Sequence, residues 1–213
     1  MKQQKVLIVA SIVGFIETFN KDLIEYLNNA KGCELHIACN FDYFADTDEE
    51  ITKQFIKKNK SEGVYIHNIH FTRSPFSSQN YDCYKKLKAI IDENNFDLIH
   101  VHTPTVSILT RLAARTSRKK GTIVMYTCHG FHFHNASPVK NWLLYYPVER
   151  VMSRFCDYIV TINKEDYNRA KTFHAPNVRY IPGVGVDIHK ISKIVVNKQA
   201  YKELRKMCRF AKK

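Results

Sequence analysis

The chain reads as an α/β protein built on a doubly wound parallel sheet. Three observations predict this. Short β-branched or apolar runs alternate with segments of helical periodicity, at the spacing of βαβ units. The runs are continuously apolar rather than alternating, as strands covered on both faces must be. Histidines, glycines and small polar residues follow the carboxyl ends of the runs, where open α/β sheets bind ligands.

Val6–Ala10 is a continuous apolar run and the first predicted strand, and Ser11–Gly14 is predicted as the loop that leaves it. Phe15, Phe19, Leu23, Tyr26 and Leu27 then recur at the spacing of one helix face. Glu34–Cys39 is the second strand. The polar stretch 46–60, with Ile51, Phe55 and Ile56 on one side, is a surface helix. Val64–Ile69 is the third strand, and Tyr84, Leu87, Ile90 and Ile91 mark the helix after it. Phe96–Val101 is the fourth strand, and Ile108, Leu109, Leu112 and Ala113 form the next helix. Thr122–Tyr126 is the fifth strand. Trp142, Leu143, Tyr146 and Val151 lie on a long helix that Pro147 is expected to kink. Asp157–Thr161 is the sixth strand, a short helix starts at Lys164, and Val178–Ile181 is the seventh strand.

At 213 residues, with 45% hydrophobic content, the chain suffices for one large domain with a filled core. The expected division is a Rossmann-like domain over residues 1–189 and a basic tail over 190–213. Residues 2–16 imitate a secretory signal, but Glu17 follows at once and no small-x-small cleavage site is seen, so a buried first strand is preferred. Six scattered cysteines without a Cys-x-x-Cys pair argue against a zinc ribbon or a disulfide framework, and a reducing cytoplasm is the simplest setting.

The formal net charge of +13 suits an anionic partner. Nine of the basic residues, against the single acid Glu203, lie in the tail, so the globular part is only mildly basic. No basic patch interleaved with aromatics is visible, and nucleic acid is not expected as a partner.

The richest stretch is Gly121–His134. A β-branched run turns polar at Thr127, and His129 stands directly before Gly130, which lets the backbone turn tightly. His102, His132 and His134 crowd the same edge. His100 and His102 are read as pointing to opposite faces of their strand, His100 into packing and His102 toward the mouth, so the two do not share a metal. His132 and His134 have no acid close in sequence to complete a metal site, and none is expected. Asn163 and Lys164 open the helix after the sixth strand, with Asn163 as its cap. Gly183 sits in the turn after the seventh. No Gly-x-Gly-x-x-Gly follows the first strand and there is no P-loop, which argues against a dinucleotide-binding dehydrogenase and a P-loop ATPase.

Five segments in order, Asp97-Leu-Ile-His-Val-His-Thr-Pro104, Tyr126-Thr-Cys-His-Gly-Phe-His-Phe133, Asn141-Trp-Leu-Leu-Tyr-Tyr-Pro147, Thr161-Ile-Asn-Lys-Glu-Asp166 and Tyr180-Ile-Pro-Gly-Val-Gly-Val-Asp187, resemble the N-terminal domain of family 4 glycosyltransferases. The subgroup resembled is that of bacterial capsule and exopolysaccharide enzymes. The resemblance implies one half of a GT-B architecture, in which this domain holds a sugar or lipid-linked sugar acceptor. A separate C-terminal domain would bind the donor, a nucleotide-sugar, and no cofactor or divalent metal is implied. It implies a retaining enzyme with His129 as the catalytic contact. Ser11, Gly14, His102, Thr103, Phe131, His132, Asn163, Lys164 and Gly183 are expected to bind substrate around one cleft.

Only 26 residues follow Asp187, so the chain is expected to be inactive without a donor-binding partner. The alternative is a non-catalytic binding or regulatory module of the same fold. A lipid-linked acceptor would place the chain in the cytoplasm, peripherally on the inner membrane face. Lys85, Lys86, Lys88, Arg111, Arg115, Arg118, Lys119 and Lys120 are expected to form a basic face toward anionic lipid.

Overall fold

The computed structural model describes residues 3–183, apart from 31, 45–47, 73, 75 and 76. Its centre is a seven-stranded sheet in the order β3-β2-β1-β4-β5-β6-β7, with every pairing parallel. The strands are β1 (Gln4–Ile12), β2 (Cys33–Asn40), β3 (Tyr65–Asn68), β4 (Leu98–His102), β5 (Ile123–Cys128), β6 (Tyr158–Thr161) and β7 (Asn177–Tyr180). The order reverses between β1 and β4. That is the topological switch point at which such sheets open a crevice. The doubly wound α/β fold is therefore the one expected. The proposed boundary at 189 and the basic tail lie outside the described residues.

Alternation along β1 divides the core. Val6, Ile8 and Ala10 pack with Leu35, Ile37 and Cys39 under α1 (Val13–Phe19), α2 (Lys21–Asn29) and α3 (Glu49–Ser61). Leu7 and Val9 join Ile99, Val101, Val124 and Tyr126 on the other face. There they meet α4 (Gln79–Asn94), α5 (Pro104–Ala113), α7 (Val139–Met152) and α8 (Lys164–Ala170), while the short α6 (Arg115–Lys119) continues from α5. Burial on both faces is why these strands are apolar throughout. Cys39, Cys83, Cys128 and Cys156 are buried as free thiols, and Cys33 is half-buried.

Two aspartates tie the amino ends of the strands together. Asp97 accepts from the Lys5 N–H at 2.9 Å, and Asp157 accepts from the Val124 N–H at 2.8 Å. Arg118 closes the second clamp by donating to Asp157 at 2.9 Å.

Several expected boundaries move. Ser11 and Ile12 are strand rather than loop, because Ile12 pairs with Asn40 after a register shift in β1, and α1 starts at once at Val13. The single helix expected from Phe15 to Leu27 breaks at Asn20 into α1 and α2. The helix expected over 46–60 starts at Glu49, where the Asp48 carboxylate accepts from the Glu50 N–H at 2.7 Å. Pro147 lies inside α7, and the helix continues through it. The proline cannot donate to the Leu143 carbonyl, and Leu143 is exposed, so water can satisfy that oxygen.

Candidate active site

β4 and β5 lie side by side, with His102 in register with Thr127. His129 follows β5 directly, and Gly130 turns the chain at a φ of 142°, a conformation that glycine adopts without strain. His102 Nδ1 lies 3.2 Å from His129 Nε2. Behind them His100 Nε2 lies 2.8 Å from the Thr127 hydroxyl, and the His100 and His102 rings are 4.2 Å apart. The expectation that His100 and His102 face opposite ways is wrong. Residues two apart on a strand share a face, and both rings lie on the α1 side.

Phe15 and Phe19 hold His129 from that side. Their ring centroids are 4.7 and 4.9 Å from it, and Phe15 meets it edge-on. Burial among these rings disfavours the imidazolium. His100 is pushed down to about 4 by burial and by the charge of His129, His102 falls well below its ordinary value, and burial lowers His129. At neutral pH the three imidazoles are therefore neutral, so between His102 and His129 one ring nitrogen donates and the other accepts, while His100 bonds the Thr127 hydroxyl. His102 Nε2, His129 Nδ1 and Thr103 Oγ1 are buried without a hydrogen-bond partner. Thr103 also has a φ of 64°, which a β-branched residue rarely adopts. Backbone strain and unpartnered polar atoms thus coincide at the carboxyl edge.

These depressed values predict acid sensitivity. His100 is neutral when folded down to about pH 4, whereas the unfolded chain protonates it near the ordinary 6.5. Its contribution is complete above about 6.5 and is lost as pH falls toward about 4. By about pH 5 the loss from His100 is about 2 kcal/mol. Urea midpoints near neutrality and near pH 5 measure this, and His100→Gln should flatten the dependence. A midpoint independent of pH over that range would refute it.

The structure separates the other predicted site residues. Ser11 is the penultimate residue of β1 and Gly14 lies in the first turn of α1, next to Phe15 on the histidine side. Phe131 does not join them. Its ring is buried on the opposite face, stacked on Phe133 at 4.8 Å, and only its N–H is used polarly, donating to Asp166. His132 is exposed beside Tyr145, with ring centroids 4.8 Å apart. Asn163 caps α8 by accepting from the Asp166 N–H and donating to the Asp166 carboxylate, while Lys164 is exposed. Gly183 is exposed in a turn, where its N–H donates to the Ile162 carbonyl. Among the described residues no group of three His, Cys, Asp or Glu is set to hold a metal ion.

The model of glycosyltransferase family 4 matches residues 16–190. The chain belongs to that family. Over 125 residues, 58% of this chain, the domain is 50% identical to EpsD of Bacillus subtilis (strain 168), which carries the name of a glycosyltransferase. The match covers 33% of EpsD, so the chain spans about a third of that relative. Among solved structures, MnaA of S. aureus with UDP superposes with a TM-score of 0.62 at 11% identity, over 93% of this chain and 51% of that one. A segment of sucrose-phosphate synthase from Thermosynechococcus elongatus superposes with a TM-score of 0.52 at 13% identity, over 95% of this chain and 98% of that one. These two show the fold, which is the Rossmann-like one that the family resemblance implied.

One feature of this family 4 domain was not foreseen. A cavity of about 290 Å³ opens between the start of α5, the segment after β5 and α7, lined by Ile108, Phe131, His132, Leu144, Tyr145 and Val148 among others. Beneath it lies Arg111, wholly buried, which donates to Glu149 at 2.9 Å and to Ser107 Oγ at 2.8 Å and lies over the Tyr126 ring at 4.6 Å. Glu149 follows 38 residues after Arg111, so no local pattern pairs them. Phe15 and Phe19 were read only as helix periodicity. The available signal was the position of Phe15 directly after Gly14, with Phe19 one helical turn further on.

Proposed function

We propose that this chain is the acceptor-holding domain of a retaining family 4 glycosyltransferase that builds polysaccharide at the inner face of the membrane. The observation that carries the reading is the pair of buried His102 and half-buried His129 at the carboxyl edge, each with a ring nitrogen left unpartnered. In the tautomer that supports catalysis, His102 Nδ1–H donates to His129 Nε2. His129 then keeps its proton on Nδ1, a neutral donor held in place by Phe15 and Phe19. Such a donor can stabilise charge developing between the transferred sugar and its departing phosphate without reorganising. Ser11, Gly14 and Thr103 are placed to meet hydroxyls of a sugar or lipid-linked sugar acceptor. The nucleotide-sugar is the donor and is held mainly by a separate C-terminal domain. No cofactor takes part.

The division of labour is testable by calorimetry. Residues 1–213 should bind a nucleotide-sugar weakly or not at all, and sugar transfer should appear when a matching donor-binding domain is fused or added. Micromolar binding of a nucleotide-sugar to the chain alone would refute the assignment. A correctly folded fusion that binds donor yet transfers nothing would favour a non-catalytic module.

A further inference from the structure

The expected basic face is present only in part: Lys86, Arg115, Lys119 and Lys120 are exposed, but its other four members are buried or paired. Arg111 is buried against Glu149, Arg118 is bound to Asp157, and Lys85 and Lys88 are paired with Asp82 and Asp92. A different surface has the required chemistry. On α7 the ladder Val139, Leu143, Pro147 and Val151 faces outward, with Val139 73%, Leu143 75% and Val151 51% exposed, and Leu144 and Val148 are exposed beside it. Residues four apart stand one above another on a helix, so these side chains form one stripe. Single exposed apolar residues need no account, but a contiguous stripe along a whole helix marks an interaction surface.

The exposed charges on α7 itself have one sign. Lys140 at one end and Arg150 and Arg154 at the other are exposed. The sole acid on α7, Glu149, is turned inward, 5% exposed and neutralised by Arg111. An apolar ridge flanked by cations and cleared of exposed acid is complementary to an anionic bilayer, where acyl chains meet negative headgroups. The ridge also borders the α5–α7 cavity, because Leu144 and Val148 belong to both. We propose that the outer face of α7 is the membrane-docking surface of this domain and that it lies on anionic phospholipid, with the cavity mouth opening toward the bilayer. The proposal shares the membrane setting of the functional reading but uses none of its catalytic residues.

The test is co-sedimentation of the full chain with vesicles of phosphatidylcholine alone and of phosphatidylcholine with phosphatidylglycerol. Binding is expected to the anionic vesicles and to weaken as salt rises. Leu143→Asp should weaken it at least about tenfold, since it sets a charge in the apolar layer. Arg150→Glu with Arg154→Glu should remove the preference for anionic over neutral vesicles. Trp142, the chain's single tryptophan, packs inward against Tyr146 and under Arg169, so its emission checks that α7 is folded in each variant. If Leu143→Asp does not fold, the double arginine variant decides alone. Binding that ignores both changes overturns the proposal, as does absence of binding to either vesicle. A concentration-dependent dimer that Leu143→Asp dissolves, without vesicle binding, would instead assign the face to a second copy of the chain. The assay needs no donor or acceptor, so its failure would leave the glycosyltransferase reading standing, and failed transfer would leave this one standing.

Discussion

His129→Ala is expected to reduce sugar transfer by a factor on the order of 10² to 10³ in the assembled enzyme, with the fold retained. On the proposed reading the side chain donates from a half-buried position between the Phe15 and Phe19 rings, and a donor held there acts on developing charge more strongly than one in solvent. Alanine removes the donor and admits water between Phe15 and Phe19. The loss should fall mainly on kcat rather than KM, because the contact strengthens as charge develops. Phe15→Leu should give a smaller loss, since it loosens the ring without removing the donor. Circular dichroism separates a catalytic loss from unfolding. An assembled enzyme indifferent to His129→Ala would reduce the residue to a loop element.

Glu149→Gln is expected to destabilise the domain by about 3–5 kcal/mol, because it leaves the buried Arg111 guanidinium without its counter-charge. Arg111 has no exposed surface through which water could compensate, and its Nη1 already lacks a partner. The pair joins α5 to α7, so its loss should also loosen the cavity wall. Arg111→Met combined with Glu149→Leu should recover most of the stability, since an apolar pair of similar volume avoids both desolvations. Urea midpoints of the single and double variants give the comparison. A single variant as stable as the parent would show that water reaches the guanidinium.

The strands were legible because burial on both faces writes them as unbroken apolar runs, as in Val6–Ala10. The carboxyl-edge position of His102, Thr103 and His129 was legible because a strand's end can be read from the change to polar residues. The break at Asn20 was not, because Phe15 through Leu27 keep one helical period across it. His100 and His102 were set on opposite faces although a strand repeats every two residues, and the 4.2 Å ring contact corrects this. Phe131 sits next to the glycine turn in sequence, yet beyond Gly130 the chain crosses to the other face and the ring enters the core. Arg111 looked like one more surface cation. Only tertiary contact shows that Glu149 and Tyr126 enclose it.

The central place of β1 has a consequence for how the chain is made. β1 precedes the other strands of this sheet, and β2, which pairs with one of its edges, follows soon after it emerges. Its other edge stays unpaired until β4 arrives, more than ninety positions on, as the Lys5–Asp97 hydrogen bond records. For that interval the nascent polypeptide displays the open edge of a strand whose centre, Val6–Ala10, is apolar, a template for pairing with the wrong neighbour. Synthesis up to Val101 is therefore the vulnerable period, and conditions that slow elongation there lengthen the exposure of this apolar edge.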